Sequence, residues 1–168
     1  MVKEREAQGG QNEPGSVDLD RVVEELFELT LMFWALRHRK RSEDPYDLTE
    51  PEFITLDTLM RQGTCTVGEL QRVLEVQPAQ MSRIIRSLEN KGESKLVRCE
   101  LNADDRRRID VSITDEGSRI HDEYRERRMK TQRELMAGLS KPELQELARM
   151  VARFREMMAS QISGHRAH

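Results

Sequence analysis

Three helix-start signals follow one another closely in the first half of this chain. Thr49 and Thr66 are each followed three residues later by a glutamate, which is the spacing of a capping box. Pro78 then stands where the first turn of a helix tolerates proline, and Gly63 ends the first of these segments. The pattern predicts three short helices, of which the last two have the spacing of a helix-turn-helix.

Two strand patterns come directly after the third helix. Residues 96–99 and 109–113 suit β-strands, and the polar segment 101–108 between them predicts a hairpin, or wing. Residues 64–66 have room for no more than one edge strand. The predicted fold class is therefore mainly α with a small β hairpin, a winged helix-turn-helix.

Long helices are predicted on both sides of this module. Residues 18–41 are apolar around well over half of the helix circumference, which favours burial against two layers, one of them a second subunit. Near the other end, apolar residues recur at spacings of 3, 4, 3 and 4, as in paired helices: Leu144, Leu147, Val151, Phe154 and Met158. We expect N- and C-terminal dimerisation helices, although so short a seam also suits packing within one subunit.

The predicted domain organisation has five parts. A disordered tail over residues 1–17 precedes an N-terminal dimerisation helix and loop over 18–48. The winged helix-turn-helix module occupies 49–114. C-terminal dimerisation helices follow over 115–163, and 164–168 form a frayed tail.

Charge is unevenly distributed along the chain. The formal net charge is −3, yet residues 77–108 contain eight basic and five acidic side chains. A local excess of positive charge favours a nucleic-acid partner. No apolar run reaches the ~18–20 residues that span a bilayer, so we expect no membrane partner. The polar first 16 residues lack the apolar core of a secretory signal, which predicts a cytoplasmic protein.

The third helix has the pattern of a DNA-reading helix. Its inward positions are Ile84, Ile85 and Leu88. Glutamine pairs bidentately with adenine and arginine with guanine in the major groove, while serine suits phosphate. The outward set that we expect to contact double-stranded DNA is Gln77, Gln80, Ser82, Arg83 and Arg86. A solvated helix face remains the alternative.

The predicted hairpin carries a second cationic feature. Arg106, Arg107 and Arg108 follow Asp105, and the two neighbouring aspartates cannot pair with all three guanidinium groups. Arginine is favoured in a narrow minor groove by its negative potential. We therefore expect this arm to reach the groove beside the one that the helix reads.

Other chemistries find little support in the sequence. P-loop, GxSxG, HExxH and GxGxxG motifs are absent, so we expect no catalytic residues, no cofactor and no enzyme. The histidines lack metal-ligand spacing. Cys65 and Cys99 suit two reduced structural thiols. The rival interpretation is a helical module whose winged helix binds a protein partner.

The residues around the wing resemble the signature of the MarR family. Asp105-Arg106-Arg107, followed by residues 111–114 and Gly117, is similar to its D-x-R and L-T-x-x-G pattern, and Ser82-Arg83 with Lys91-Gly92 is similar to its recognition-helix stretch. The resemblance runs over residues 20–160. It implies that Asp105 braces the wing and that Arg107 enters the minor groove. The chain departs from the pattern where residues 93–95 separate the lysine-glycine pair from the first strand.

The resemblance also implies how the protein is regulated. Many relatives bind small phenolic or anionic effectors between the dimer helices and the DNA-reading part. By element position, the corresponding residues are Trp34, His38, Arg39 and Phe53. The protein is then expected to be a homodimeric, ligand-responsive repressor of a pseudo-palindromic operator.

Overall fold

The computed structural model describes residues 18–41, 46, 48–91 and 94–165, and the side chains within them except those of 37–41 and 162–165. The chain falls into two compact units, residues 1–48 and 49–168. The elements in chain order are α1 Leu19–Arg41, α2 Glu50–Gln62, β1 Cys65–Thr66, α3 Val67–Leu74, α4 Pro78–Asn90, β2 Val97–Leu101, β3 Ile109–Ile113, α5 Asp115–Met136 and α6 Lys141–His165. This architecture confirms the predicted fold class. The predicted tail 1–17 and most of the loop 42–47 lie outside the described residues.

In the first unit, α1 displays its apolar side chains. The backbone N–H of Asp20 donates to the Asp18 carboxylate at 3.2 Å, in the first turn. Leu19, Phe27 and Met32 are all exposed, and none of the side chains described in α1 is buried in the single chain. A second subunit covering this helix therefore stays a prediction.

The second unit is built on the helix starts that the sequence predicts. In both capping boxes the threonine hydroxyl accepts from a backbone N–H and the glutamate accepts from the threonine N–H, at 2.7 Å for Thr49 and 2.8 Å for Thr66. Gly63 ends α2 with a φ of 76°, in the left-handed region that favours glycine.

The core joins helices to the sheet. It contains Leu56 and Leu59 of α2, Leu70 of α3, Met81 and Leu88 of α4, Val97 and Val111 of the sheet, and Ile120 of α5. The apolar spacing of α2 predicts an inner stripe of Phe53, Leu56, Leu59 and Met60, which is wrong at Met60, because this side chain is exposed. Thr55 and Thr58 are buried instead, because their hydroxyls donate to backbone carbonyls of their own helix at 2.8 Å.

The three strands form one antiparallel sheet in the order β1-β3-β2. The predicted first wing strand, 96–99, is displaced, because Glu100 and Leu101 also pair with β3. The wing loop is therefore 102–108. The second strand has the predicted bounds.

The end of α4 differs from the prediction. The lysine-glycine pair at 91–92 predicts a basic last turn of the helix, but α4 ends at Asn90 and Lys91 has an extended backbone with φ −88° and ψ 119°. Its ammonium group contacts the Glu52 carboxylate at 2.6 Å. Gly92 lies outside the described residues.

The two last helices begin with hydrogen bonds between side chains and backbone N–H groups of their first turns. The Gly117 N–H donates to Thr114 Oγ1 at 3.0 Å, and the Ser140 N–H donates to Glu143 at 2.7 Å. The predicted seam of α6 is exposed in the single chain except at Leu147, which is half-buried. No helix among the described residues is long and apolar enough to cross a membrane.

Candidate nucleic-acid interface

The α4 helix has one buried and one exposed face. Met81, Ile84, Ile85 and Leu88 are buried. All five side chains predicted to face DNA are exposed: Gln77, Gln80, Ser82, Arg83 and Arg86. The helix therefore presents amide, hydroxyl and guanidinium groups on the side opposite its anchor.

These exposed side chains differ in whether they already make hydrogen bonds or ion pairs within the protein. Gln77 is the N-cap residue of α4, but its side chain makes no capping hydrogen bond. Arg83 and Arg86 have no ion pair with any residue that the structure describes. Ser82 donates its hydroxyl hydrogen to the Pro78 carbonyl at 3.0 Å, so a contact with phosphate requires this hydroxyl to rotate.

The wing loop is organised around Asn102. Its side-chain oxygen accepts from the N–H groups of Asp104 at 3.0 Å and Asp105 at 2.9 Å, and its amide nitrogen donates to both oxygens of Asp110 at 3.0 and 2.9 Å. The Asn102 N–H also donates to the Arg108 carbonyl at 3.0 Å. Sequence reasoning missed Asn102 and Asp110 as braces. The only signal was the tendency of Asn to form side-chain turns.

Asp105 braces the descending side of the same loop. Its carboxylate accepts from the Arg107 N–H at 3.1 Å and lies 3.3 Å from the Arg108 guanidinium. Arg106 and Arg107 are exposed, and no carboxylate among the described residues pairs with either. The loop therefore holds one arginine at its base and leaves two facing solvent.

The base of the wing is near the start of α3. Hydrogen bonds from Thr66 lower the pKa of the Glu69 carboxyl, and nearby Arg72 and Arg108 lower it further. Arg108 thus pairs with Asp105 at 3.3 Å and lies near enough to Glu69 to affect its carboxyl group. We assign it to the scaffold of the wing more than to its exposed tip.

Glu52 connects α2 to α4 by polar contacts. Its carboxylate is buried and accepts from the Thr49 N–H, from Ser87 Oγ at 2.5 Å and from Lys91 Nζ at 2.6 Å. Burial alone would raise the pKa of this carboxyl, but the hydrogen bonds from Lys91, Ser87 and Thr49 together lower it. Sequence reasoning identified Glu52 only as a capping residue, because Ser87 and Lys91 are distant along the chain.

The expected effector residues are only partly described. Trp34 is exposed on α1, while the side chains of His38 and Arg39 lie outside the described residues. Phe53 is half-buried on α2 and stacks on the His121 imidazole, with ring centroids 5.2 Å apart and planes at 6°.

A polar and aromatic cluster surrounds Phe53. Tyr124 contacts its ring, and the Arg128 guanidinium lies 5.5 Å from the Phe53 ring centroid and 2.8 Å from Glu50. The buried His121 lies 3.1 Å from the Asp57 carboxylate. Sequence reasoning missed His121, Tyr124 and Arg128, since nothing local marks them as neighbours of α2.

The two cysteines occupy one row of the sheet. Cys65 and Cys99 both pair with Val111, from opposite sides. Two strand spacings separate their Cα atoms by about 10 Å, beyond the reach of a disulfide. Burial, assisted by Glu69 at Cys65 and by Glu89 at Cys99, raises the pKa of both thiols. Both features agree with reduced structural thiols.

Three short helices, a three-stranded sheet and a projecting hairpin define a winged helix-turn-helix protein. Residues 48–109 match the sequence model of the MarR family. This match covers most of the winged helix-turn-helix part of the chain and confirms the resemblance seen in the sequence. A comparison with curated proteins finds no significant match.

Solved structures show the same fold over most of the chain. A MarR family protein from Bacillus stearothermophilus is 22% identical, with a TM-score of 0.69 over 85% of this chain and 99% of that one. Wild-type apo MarR from E. coli is 23% identical, with a TM-score of 0.62 over 83% and 97%. The PcaV transcriptional regulator from Streptomyces coelicolor, solved with its natural ligand, is 20% identical, with a TM-score of 0.57 over 84% and 97%.

Proposed function

We propose that this protein is a sequence-specific regulator of transcription that binds double-stranded DNA through α4 and the wing. One observation carries the proposal: α4 buries its apolar face and exposes amide and guanidinium groups on the other. A fold of the MarR family supports this role. In this proposal Arg83 and Arg86 read guanine, Gln77 and Gln80 read adenine, and Ser82 contacts phosphate.

The wing supplies the second contact. Asn102 and Asp105 constrain its loop, so Arg106 and Arg107 lose little conformational freedom when they enter the minor groove. Arg108 supports the loop from the side and adds to the local positive potential. Phosphate neutralisation by these groups makes binding depend strongly on salt.

We further propose that the protein acts as a homodimer on a pseudo-palindromic operator. The exposed apolar residues of α1 and α6 support a partner subunit, because such extensive apolar surfaces are rarely left in water. Two recognition helices then meet successive major grooves about 34 Å apart. A protein so placed over a promoter acts as a repressor by excluding polymerase.

The proposed effector is a small phenolic or anionic compound. The Phe53 ring beside the Arg128 guanidinium offers stacking and charge to such a molecule, and the similar PcaV structure holds a ligand. Calorimetric binding of a panel of phenolic carboxylates that is lost in Phe53→Ala, accompanied by release from DNA, supports this site and mechanism; binding without release removes the regulatory role.

The DNA-binding proposal is tested by fluorescence anisotropy with labelled DNA flanking the gene, nonspecific competitor and two salt concentrations. Arg107→Ala is compared with Arg149→Ala, which removes an equal charge from an exposed position of α6 off its apolar seam. We expect the first variant alone to weaken binding and to reduce the salt slope by about 0.9.

Failure on flanking DNA is followed by selection from random sequences. Recovery of a palindromic site supports the proposal. Absence of competitor-resistant binding to any selected DNA refutes it and favours the module that binds a protein partner.

A further inference from the structure

We propose that Glu52 is a positioning residue for operator recognition, which sets the orientation of α4 through Ser87 and Lys91. This inference rests on the proposed DNA-binding function. It assigns to a capping residue on α2 a second role at the end of the recognition helix. The residue itself does not touch DNA in this proposal.

The contacts of Glu52 go beyond what helix capping requires. For capping, the Glu52 carboxylate needs to accept only the bond from the Thr49 N–H, at 2.7 Å. The other two bonds come from residues 35 and 39 positions away in the chain, Ser87 and Lys91. Glu69 of α3 makes the local capping contacts, and no contact of its carboxylate with α4 occurs among the described residues. Glu52 thus combines a local and a long-range function.

Because these contacts are buried, they constrain the position of α4 relative to α2. Glu52 is only 3% exposed, and the Lys91 side chain 17%. A buried carboxylate that loses a donor is strongly disfavoured, so α4 is held at the distance where both donors reach it. The apolar contacts of Ile85 and Leu88 are not directional and tolerate small rotations of the helix.

We call the contacts of Glu52 with Ser87 and Lys91 the clamp. Small rotations of α4 matter because the clamp and the first DNA-facing residues lie at opposite ends of this helix. The helix has 13 residues, and is thus roughly 19 Å long at 1.5 Å per residue. A tilt of roughly 5° about its Lys91 end moves the Gln77 end by about 1.7 Å. A functional constellation tolerates only about 0.5 Å. Loss of the clamp is therefore expected to affect base reading before it affects folding.

The same junction also leads into the wing. The Leu96 N–H donates to the Leu88 carbonyl at 3.0 Å, and Thr114 Oγ1 donates to the Lys95 carbonyl at 2.7 Å. These bonds hold the start of β2 against the last turns of α4. Glu52 therefore acts at the point where the recognition helix and the wing meet.

The experiment compares Glu52→Gln with Glu143→Gln. Glutamine retains the capping acceptor in both cases, and both changes raise the net charge equally, but among the described residues the Glu143 carboxylate bonds only to Ser140. The readouts are the ratio of operator to random-DNA affinity at fixed salt, the salt slope, and amide hydrogen exchange at the end of α4. For Glu52→Gln we expect at least a fivefold loss of this ratio, the cost of one impaired bidentate base contact. Faster exchange over residues 87–91 should accompany it, with an unchanged salt slope.

Two further variants test whether Glu52 acts on DNA discrimination through Ser87 and Lys91. Ser87→Ala removes one donor and leaves the ion pair, so it should reduce the ratio in a protein that folds even if Glu52→Gln does not. Lys91→Met combined with Glu52→Gln should lose no more discrimination than the larger single loss, since the two residues act through one contact. Additive losses would refute action through Lys91.

The outcomes separate the two proposals. A wild-type protein without any operator preference refutes the proposed function. A wild-type protein that discriminates, with Glu52→Gln and Ser87→Ala discriminating equally well within twofold, refutes the positioning role even if both melt at lower temperature. Loss of discrimination in Glu143→Gln as well would also overturn it.

Discussion

Gly117 offers a sharp test of how the wing is attached to α5. It is buried in the first turn of this helix, where the start of β2 approaches closely. A Cβ atom added there would lie 2.1 Å from the Leu96 carbonyl oxygen and 2.8 Å from Ile113 Cγ1. Because the nearer atom belongs to the backbone, Gly117→Ala must displace either β2 or α5. The Leu96 carbonyl also accepts from the Thr114 N–H at 3.1 Å, so that bond is disturbed as well.

Two effects of opposite sign determine the magnitude. Replacing glycine by alanine within a helix normally stabilises by about 0.5–1 kcal/mol. Overpacking against a fixed neighbour costs about 1–3 kcal/mol, and weakening one hydrogen bond costs about 1 kcal/mol more. We expect a net loss of about 1–3 kcal/mol in the free energy of unfolding. For a chain of this size each kcal/mol lowers Tm by about 2–4 °C, which predicts a decrease of about 2–12 °C.

The assay is thermal unfolding followed by circular dichroism at one fixed protein concentration. Gly68→Ala and Gly138→Ala are the matched controls, since a Cβ at either position meets nothing within 4 Å. Both controls should melt at or slightly above the wild-type temperature. Anisotropy with operator DNA should show a weaker complex only for Gly117→Ala, because its wing is displaced. A Gly117→Ala protein as stable as the controls would refute the close packing of β2 on α5.

The other predictions concern the wing, the loss of stability at low pH, the dimer and the thiols. Asn102→Ala removes the contacts with Asp110 and the loop N–H groups, and should cost about 1–2 kcal/mol and lower DNA affinity at constant salt; an unchanged operator Kd would contradict the brace. The pKa of Glu52 is lowered in the folded protein, so its contribution is complete above the unfolded value of 4.5 and disappears as pH falls through the lower folded pKa. Urea titrations should therefore show the stability gap between wild type and Glu52→Gln closing on acidification, and a constant gap would exclude this linkage. Phe154→Glu should turn a dimer into a monomer in light scattering, because a carboxylate cannot be buried in the α6 seam; a persistent dimer would rule the seam out. Alkylation of native Cys99 at neutral pH should be much slower than in urea, since burial raises the pKa of its thiol, and equal rates would count against that burial.

Local signals made the helix starts predictable. Thr49 and Thr66 each fix a helix start through contacts within three residues. The second wing strand was predicted with its observed bounds because its apolar and polar residues alternate. Such features depend on near neighbours, which the sequence itself displays.

The errors and omissions depend on distant contacts. Lys91 was predicted in the last turn of α4, yet it lies beyond the helix and pairs with Glu52, 39 positions away. Asn102 looked like an ordinary loop residue, and its role follows from the registry that brings Asp110 opposite Glu100. Periodicity could not show either contact, since both arise only when separate elements pack together.

The division of α4 into a buried and an exposed face has a consequence for evolution. Its exposed residues contribute little to the core, and surface substitutions of this kind usually change stability by less than about 0.5 kcal/mol. If α4 reads DNA as we propose, mutations at Gln80, Arg83 or Arg86 alter the preferred DNA sequence while the protein continues to fold. Under that proposal, a duplicated copy of this chain has an accessible path to a new set of target genes, one base pair at a time.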